Sequence, residues 1–250
     1  MKVIVFLSFI ILLTTSTAAQ VGIGTTTPSS SSQLDVSSTN KGFLPPRMTF
    51  DQRNNIPTPV ESLVIWCNNC GIYGELQVFN GVIWTNISGG NVSGIPVVGD
   101  SGGGGIVAYI LQSADPGYIP GETHGLIAAP QDQSTSIQWG CSGIFIGGTS
   151  TALGSGQSNT TAIINGCVFN SAAKICNDLV LNNYTDWYLP SKDELNILSL
   201  NQVEIGGFTA TFYWSSSEDT SVTAWGEHFG GAQNSFGKSN SYRVRAIRSF

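Results

Sequence analysis

The chain has 250 residues, and its formal net charge is −6. That acidic balance excludes nucleic acid as a partner, because such binding needs Lys and Arg to neutralise phosphates. Only 10% of the residues are charged while glycine numbers 30, a composition of short strands, long loops and a surface wetted by hydroxyls and amides.

Lys2 precedes an apolar run from Val3 to Leu13, interrupted by Ser8, and Thr14 to Ala19 is small and polar. The segment reads as a cleavable signal peptide over residues 1–19, with Thr17 and Ala19 at the small-residue positions before a cut between Ala19 and Gln20. The run is too short to cross roughly 30 Å of hydrocarbon as a helix. No cysteine stands at the cut, which argues against a lipid-anchored start, and no later segment has transmembrane length. The mature chain is expected outside the cytoplasm, secreted or at the cell surface.

Residues 20–50 are rich in Thr, Ser and Pro, from Val21-Gly-Ile-Gly-Thr-Thr-Thr-Pro28 to Leu44-Pro45-Pro46-Arg47, and read as extended or turn structure. Ser62–Trp66 is a short β run. Leu76–Phe79 and Val82–Ile87 flank Asn80-Gly81, the strongest two-residue hairpin signal. A small β-rich module is therefore expected over 20–88, followed by a Gly/Ser linker over 89–105. A second domain over 106–250 opens with a strand at Ile106–Leu111 and a long turn-rich region to about residue 165. Ser171–Leu181 reads as a helix with Ala172, Ile175, Cys176 and Leu179 on one face. A second helix starts at Ser191, where Ser191-Lys-Asp-Glu194 forms a capping box after Pro190. Loop-rich sequence follows, and Tyr242–Phe250 closes the chain as a strand.

Cys67, Cys70, Cys141, Cys167 and Cys176 are disulfide candidates, the default in an exported chain. Cys67-Asn-Asn-Cys70 closes a local loop or forms half of a zinc site, although no second CxxC accompanies it and both histidines lie far away. Of the other three, a pairing leaves one thiol over. Gly99-Asp100-Ser101-Gly102-Gly103 is similar to the nucleophile motif of chymotrypsin-type proteases, but His124 and His228 both follow it, the wrong chain order for that fold. Ser215-Ser-Ser-Glu218-Asp219 reads as solvated loop acids. Calcium at Glu218 and Asp219 is the alternative, without EF-hand or repeat spacing, and no other metal or cofactor is implied. His228, beside Glu227 among aromatics, reads as a structural or ligand-facing residue rather than a catalytic base.

An ordered set of motifs carries a resemblance. Asp186-Trp-Tyr-Leu-Pro-Ser-Lys-Asp-Glu-Leu195, Tyr213-Trp-Ser-Ser-Ser-Glu218, Ala224-Trp225, Phe229 and Tyr242-Arg-Val-Arg-Ala-Ile-Arg248 follow His124-Gly-Leu-Ile-Ala-Ala129, Ile137-Gln-Trp-Gly140 and Ala172-Ala-Lys-Ile-Cys176. Over roughly 104–250 the chain resembles the C-terminal domain of the Legionella collagen-like protein family, related to the Fibrobacter major paralogous domain. Residues 20–88 resemble N-terminal segments of Bacteroidota surface and tail-fibre-like proteins. The resemblance implies an α+β, C-type-lectin-like C-terminal domain preceded by the small β-rich module, with first and last strands paired and long loops that bind. It implies adhesion to host glycans. A distant similarity to formylglycine-generating enzymes at Leu189–Glu194 does not carry their oxidase chemistry, because no cysteine follows Cys176. The Glu-Pro-Asn and Trp-Asn-Asp sugar motifs of animal lectins are missing too.

The recognisable residues Trp187, Leu189, Pro190, Ser191, Glu194, Arg243 and Arg245 are expected to hold the fold, with the arginines and Arg248 pairing buried acids. The loop over 202–240 is expected to meet the ligand through Trp214, Glu218, Asp219, Trp225, Glu227, His228 and Lys238. The functional expectation is a non-enzymatic binding protein that contacts glycan or another surface polymer. The alternative is a fibre or envelope component that self-associates as a homo-oligomer through its N-terminal module. A hydrolase acting through Glu218 or Glu227 is the weakest reading.

Overall fold

The computed structural model describes residues 20–90, 92–167 and 169–250. The expected signal peptide, residues 1–19, lies outside the described residues. No helix among them is long and apolar enough to cross a membrane. The chain divides into two compact units, one ending at Leu44 and the other running from Pro45 to Phe250.

The first unit is a two-stranded ribbon. β1 (Val21–Ile23) and β2 (Leu34–Val36) pair in parallel, with Val21 opposite Leu34 and Ile23 opposite Val36. Polar side chains brace the connection between them. Gln20 donates from Nε2 to the carbonyls of Ser29 and Ser32, each at 3.0 Å, and the Ser29 N–H donates to Asp35 Oδ2 at 2.8 Å. Neither strand contributes a buried side chain.

The second unit opens with β3 (Arg47–Met48), α1 (Phe50–Asn54), β4 (Val64–Cys67), β5 (Glu75–Phe79) and β6 (Trp84–Asn86), whose strands form one sheet in that order. The turn residues expected to join β5 and β6 do so, in a four-residue loop from Asn80 to Ile83. Asn80 Oδ1 accepts from the N–H groups of Val82 and Ile83, and Gly81 takes a φ of +92° that favours glycine. Helix α1 begins at the end of the 20–50 segment, over residues to which the sequence assigns no element. Thr49 and Gln52 complete a capping box around it. The Cys67–Cys70 disulfide closes the local loop and packs with Ile65 against Met48, Phe50 and Trp84.

The remaining elements are β7 (Ser101–Gly102), β8 (Gly105–Ile110), β9 (Gly125–Ala128), β10 (Ser134–Gln138), α2 (Gly156–Gly166), α3 (Ala172–Asn177), α4 (Lys192–Leu200), α5 (Gln202–Ile205), β11 (Phe212–Glu218), β12 (Thr223–His228), β13 (Gln233–Gly237), β14 (Ser241–Val244) and β15 (Ile247–Ser249). Two further sheets result, ordered β15-β9-β8-β7 and β10-β14-β11-β12-β13. The Gly/Ser stretch 89–105 thus contains β7, paired with β8.

Five expectations change. The opening and closing strands, β8 and β15, do not pair with each other. β9 lies between them, because Gly125–Ala128 is apolar enough to be buried along its whole length. The terminal run Tyr242–Phe250 is two strands in two sheets, divided at Arg245 and Ala246, where the buried Arg245 side chain bonds Asp132 and the carbonyls of Ala129 and Gly207. The region 202–240 is not one long loop: β11, β12 and β13 form an antiparallel meander there. Helix α3 occupies a shorter span than 171–181, with Ala172 and Cys176 buried, and α2 fills part of the region read as turns.

Candidate functional site

β11 organises the larger sheet. Ser215, Ser216 and Ser217 are fully buried, so they are not the solvated loop that their chemistry suggests. Burial is tolerated because their polar groups are bonded. Ser215 Oγ donates to the Trp225 carbonyl at 2.7 Å, Ser217 Oγ to the Ser150 carbonyl at 2.7 Å, and Ser216 Oγ accepts from Asn159 Nδ2 at 3.1 Å. Trp214 is buried as well, its indole N–H donating to the Ile137 carbonyl at 3.0 Å. Trp214 is therefore a core residue rather than a ligand contact.

Glu218 and Lys238 form an ion pair with both side chains enclosed. Glu218 accepts from the N–H groups of Ile146 at 2.9 Å and Gly147 at 2.8 Å, while Lys238 donates to the Ile144 carbonyl at 2.9 Å. The ammonium also lies 4.5 Å from the centre of the Trp139 ring. These bonds clamp the 144–147 loop from beneath. Neither side chain is exposed, so Glu218 is not the solvated loop acid its sequence suggests: its oxygens are taken by Lys238 and two amides. The Cys141–Cys167 disulfide fastens the same loop at its base, and Cys176 is a free buried thiol whose pKa burial pushes up.

Glu227 is also enclosed. Burial pushes its carboxyl up, opposed by hydrogen bonds from Ser199 and from Gln233 Nε2 at 3.0 Å. His228 is half-buried and packs edge-on against Phe212, with ring centres 4.9 Å apart. Asp219 and Trp225 remain accessible, and the register of β12 with β13 explains why they gather. Trp225 is paired with Ser235 and Thr223 with Gly237, so Thr223, Trp225 and Ser235 share one sheet face. Asp219 Oδ2 accepts from Ser235 Oγ at 2.6 Å and from Thr223 Oγ1 at 2.9 Å. The Lys192 ammonium sits 3.8 Å from the centre of the Trp225 ring and fixes its orientation. An indole, an ammonium, two hydroxyls and a carboxylate therefore meet on an open surface. Lys192, Thr223 and Ser235 are absent from the sequence-derived candidates. The alternation Thr223, Trp225, Glu227 is the signal that could have placed Thr223 on the strand face of Trp225.

The recurring motif residues build the scaffold beneath this surface. Trp187 and Leu189 are buried in the core, and the Pro190 carbonyl accepts from the Ser216 N–H at 2.7 Å. Ser191 caps α4: its Oγ accepts from the Glu194 N–H, and its own N–H donates to Glu194 Oε2 at 2.7 Å. Glu194 is enclosed, with Gly154 donating to Oε1 at 3.0 Å, and burial raises its pKa against these bonds. Arg243 and Arg245 converge on Asp132, at 2.9 and 2.8 Å. Arg248 grips Asp186 with two nitrogens, at 2.8 and 2.7 Å. A groove of about 690 Å3 lies between residues 130–133 and 175–181, but Asp132 at its wall is already committed to these arginines.

Among the described residues, no cluster of three or more His, Cys, Asp or Glu side chains is placed to hold a metal ion. Residues 22–99 match the family model of a phage tail like trimerisation region, and residues 129–248 match that of the Lcl C-terminal domain. No curated protein matches the chain. A fimbrial protein from Bacteroides ovatus ATCC 8483 is similar in structure at 15% identity and a TM-score of 0.40, over 63% of this chain. The chain spans 46% of that protein's length.

Proposed function

We propose that this chain, an Lcl C-terminal domain carried behind a phage tail like trimerisation region, is an exported, non-catalytic surface protein that contacts glycan or another surface polymer. The modules run over 20–88 and 106–250, the second being C-type-lectin-like, with β8 and β15 bracketing α2 to α5. The observation that carries the reading is the open face of Trp225, Lys192, Asp219, Thr223 and Ser235. An aromatic ring held in place beside hydroxyl and carboxylate oxygens suits the alternating C–H and O–H surfaces of a sugar. The acids that a hydrolase would need, Glu218 and Glu227, are turned inward and bonded. The adhesion implied by the family resemblance points the same way. Binding on an array of host and bacterial glycans, lost in Trp225→Ala with folding intact, is the expected result. An array with no binding across both sets contradicts the reading.

A second reading is favoured by the match of residues 22–99 to a trimerisation region: the chain self-associates through its N-terminal part. Self-association and polymer contact are compatible, since several copies of a weak site on one assembly bind with higher avidity.

A further inference from the structure

The β1–β2 ribbon has strand pairing without a core. Isolated two-stranded ribbons are marginal in water, and three strands or a packing partner are needed for independent stability. Because registered residues of paired strands share a face, Val21, Ile23, Leu34 and Val36 all project from the same side. They are 54%, 54%, 52% and 44% exposed, so about half of each stays open among the described residues. The opposite face carries Gly22 and Asp35, and the connecting loop already fills it. A Cβ on Gly22 would meet the Thr25 carbonyl oxygen at 2.6 Å and Pro28 Cγ at 2.9 Å. Asp35 is spent on the Ser29 N–H at 2.8 Å. One side of the ribbon is therefore closed by its own loop, and the other is an uncharged row of four branched side chains, each about half exposed.

We infer that this row is the seam along which copies of this chain associate, the ribbon of each copy covering the apolar face of the next. The inference rests on the self-association proposed above and names its surface. The ribbon falls almost wholly within the residues matched to a trimerisation region, which makes a further copy of this chain the occupant rather than an unrelated protein. The row carries no charge to select a polar or ionic ligand. A second set of exposed apolar residues, Val82 and Ile83 on the β5–β6 turn and Ile87 just after β6, is the rival surface within the same matched region.

The test is the molar mass in solution, by light scattering on a sizing column, of the chain beginning at Gln20. The wild type is expected at three times the chain mass. Ile23→Asp with Leu34→Asp is expected to fall to one chain mass, while Val82→Asp with Ile83→Asp keeps the wild-type mass. The milder pair Ile23→Ser with Leu34→Ser, with an unchanged thermal transition, separates loss of the seam from loss of fold. A ribbon variant that keeps the trimer mass overturns the seam while leaving self-association standing. A wild type that stays at one chain mass at high concentration overturns both.

Discussion

Arg248 and Tyr73 lie 175 residues apart and share a hydrogen bond of 2.9 Å from the arginine Nη1 to the phenol oxygen. The same guanidinium holds Asp186 with two nitrogens, donates to the Gly103 carbonyl at 3.1 Å and sits 4.1 Å from the centre of the Tyr184 ring. One side chain near the end of the chain thus ties the segment after the Cys67–Cys70 loop to the sheet containing β15. Arg248→Ala is expected to destabilise the second unit by about 2–3 kcal/mol, since it removes several charge-assisted bonds and leaves Asp186 without its cation. Tyr73→Phe removes one of those bonds and is expected to cost about 1 kcal/mol. Urea unfolding of both variants checks the order.

The same pair sets an acid limb. The hydrogen bond from Arg248 is the largest influence holding the Asp186 carboxyl below its ordinary value of 3.8. A depressed folded-state pKa contributes stability that is present above the unfolded value and lost as pH falls through the folded one. The contribution is accordingly intact at neutral pH and fades below about pH 4. Asp186 is nearly half exposed, which keeps the effect modest. Melting temperatures measured from pH 2 to 6 should drop less steeply on acidification in Asp186→Asn than in the wild type.

The clamp beneath the 144–147 loop makes an asymmetric prediction. Removing one member of a buried ion pair strands the other, at a cost of about 3–5 kcal/mol, whereas removing both is milder. Lys238→Met and Glu218→Gln should each destabilise strongly, and the double variant should recover part of the loss. Hydrogen exchange at the Ile146 and Gly147 amides reads the clamp locally, because both donate to Glu218. Faster exchange there in Glu218→Gln is the expected result.

The Cys141–Cys167 disulfide closes a loop of 26 residues in sequence separation. Chain-entropy arguments give such a crosslink about 3 kcal/mol. Cys141→Ser with Cys167→Ser should lower the urea midpoint accordingly, while Cys176→Ser, at the free buried thiol, should change it far less.

Legibility in the sequence followed the range of the interactions. Helix α4 is readable because Ser191 and Glu194 cap it within four residues. The β5–β6 turn is readable because Asn80 and Gly81 determine it locally. Helix α2, Gly156–Gly166, is not, since its residues are poor helix formers and Ser155 makes no side-chain cap. It stands on distant bonds instead: Asn159 reaches Ser150 and Ser216, and Thr160 reaches Leu189. The serines of β11 misled for the same reason, because a hydroxyl bonded across the sheet has the same letter as one facing water. At the candidate site, Trp225 and Asp219 were legible as ligand-type residues, but the enclosure of Glu218, Glu227 and Lys238 was not, because it depends on long-range partners. Glu218 and Lys238 pair with each other, and Glu227 lies on the Trp225 face but is bonded by Ser199 and Gln233. The arginines of Tyr242–Arg248 were legible as partners of acids, and the identity of those acids, Asp132 and Asp186, was not.

The most direct measurement of the central claim is the affinity of the wild type and Trp225→Ala for a glycan found on the array, with near-ultraviolet dichroism reporting the fold. The account predicts at least about a tenfold weakening, equivalent to about 1.4 kcal/mol, with the dichroism of the remaining core retained. Equal affinity in the two proteins would contradict it and move the contact surface away from the Trp225–Lys192 face.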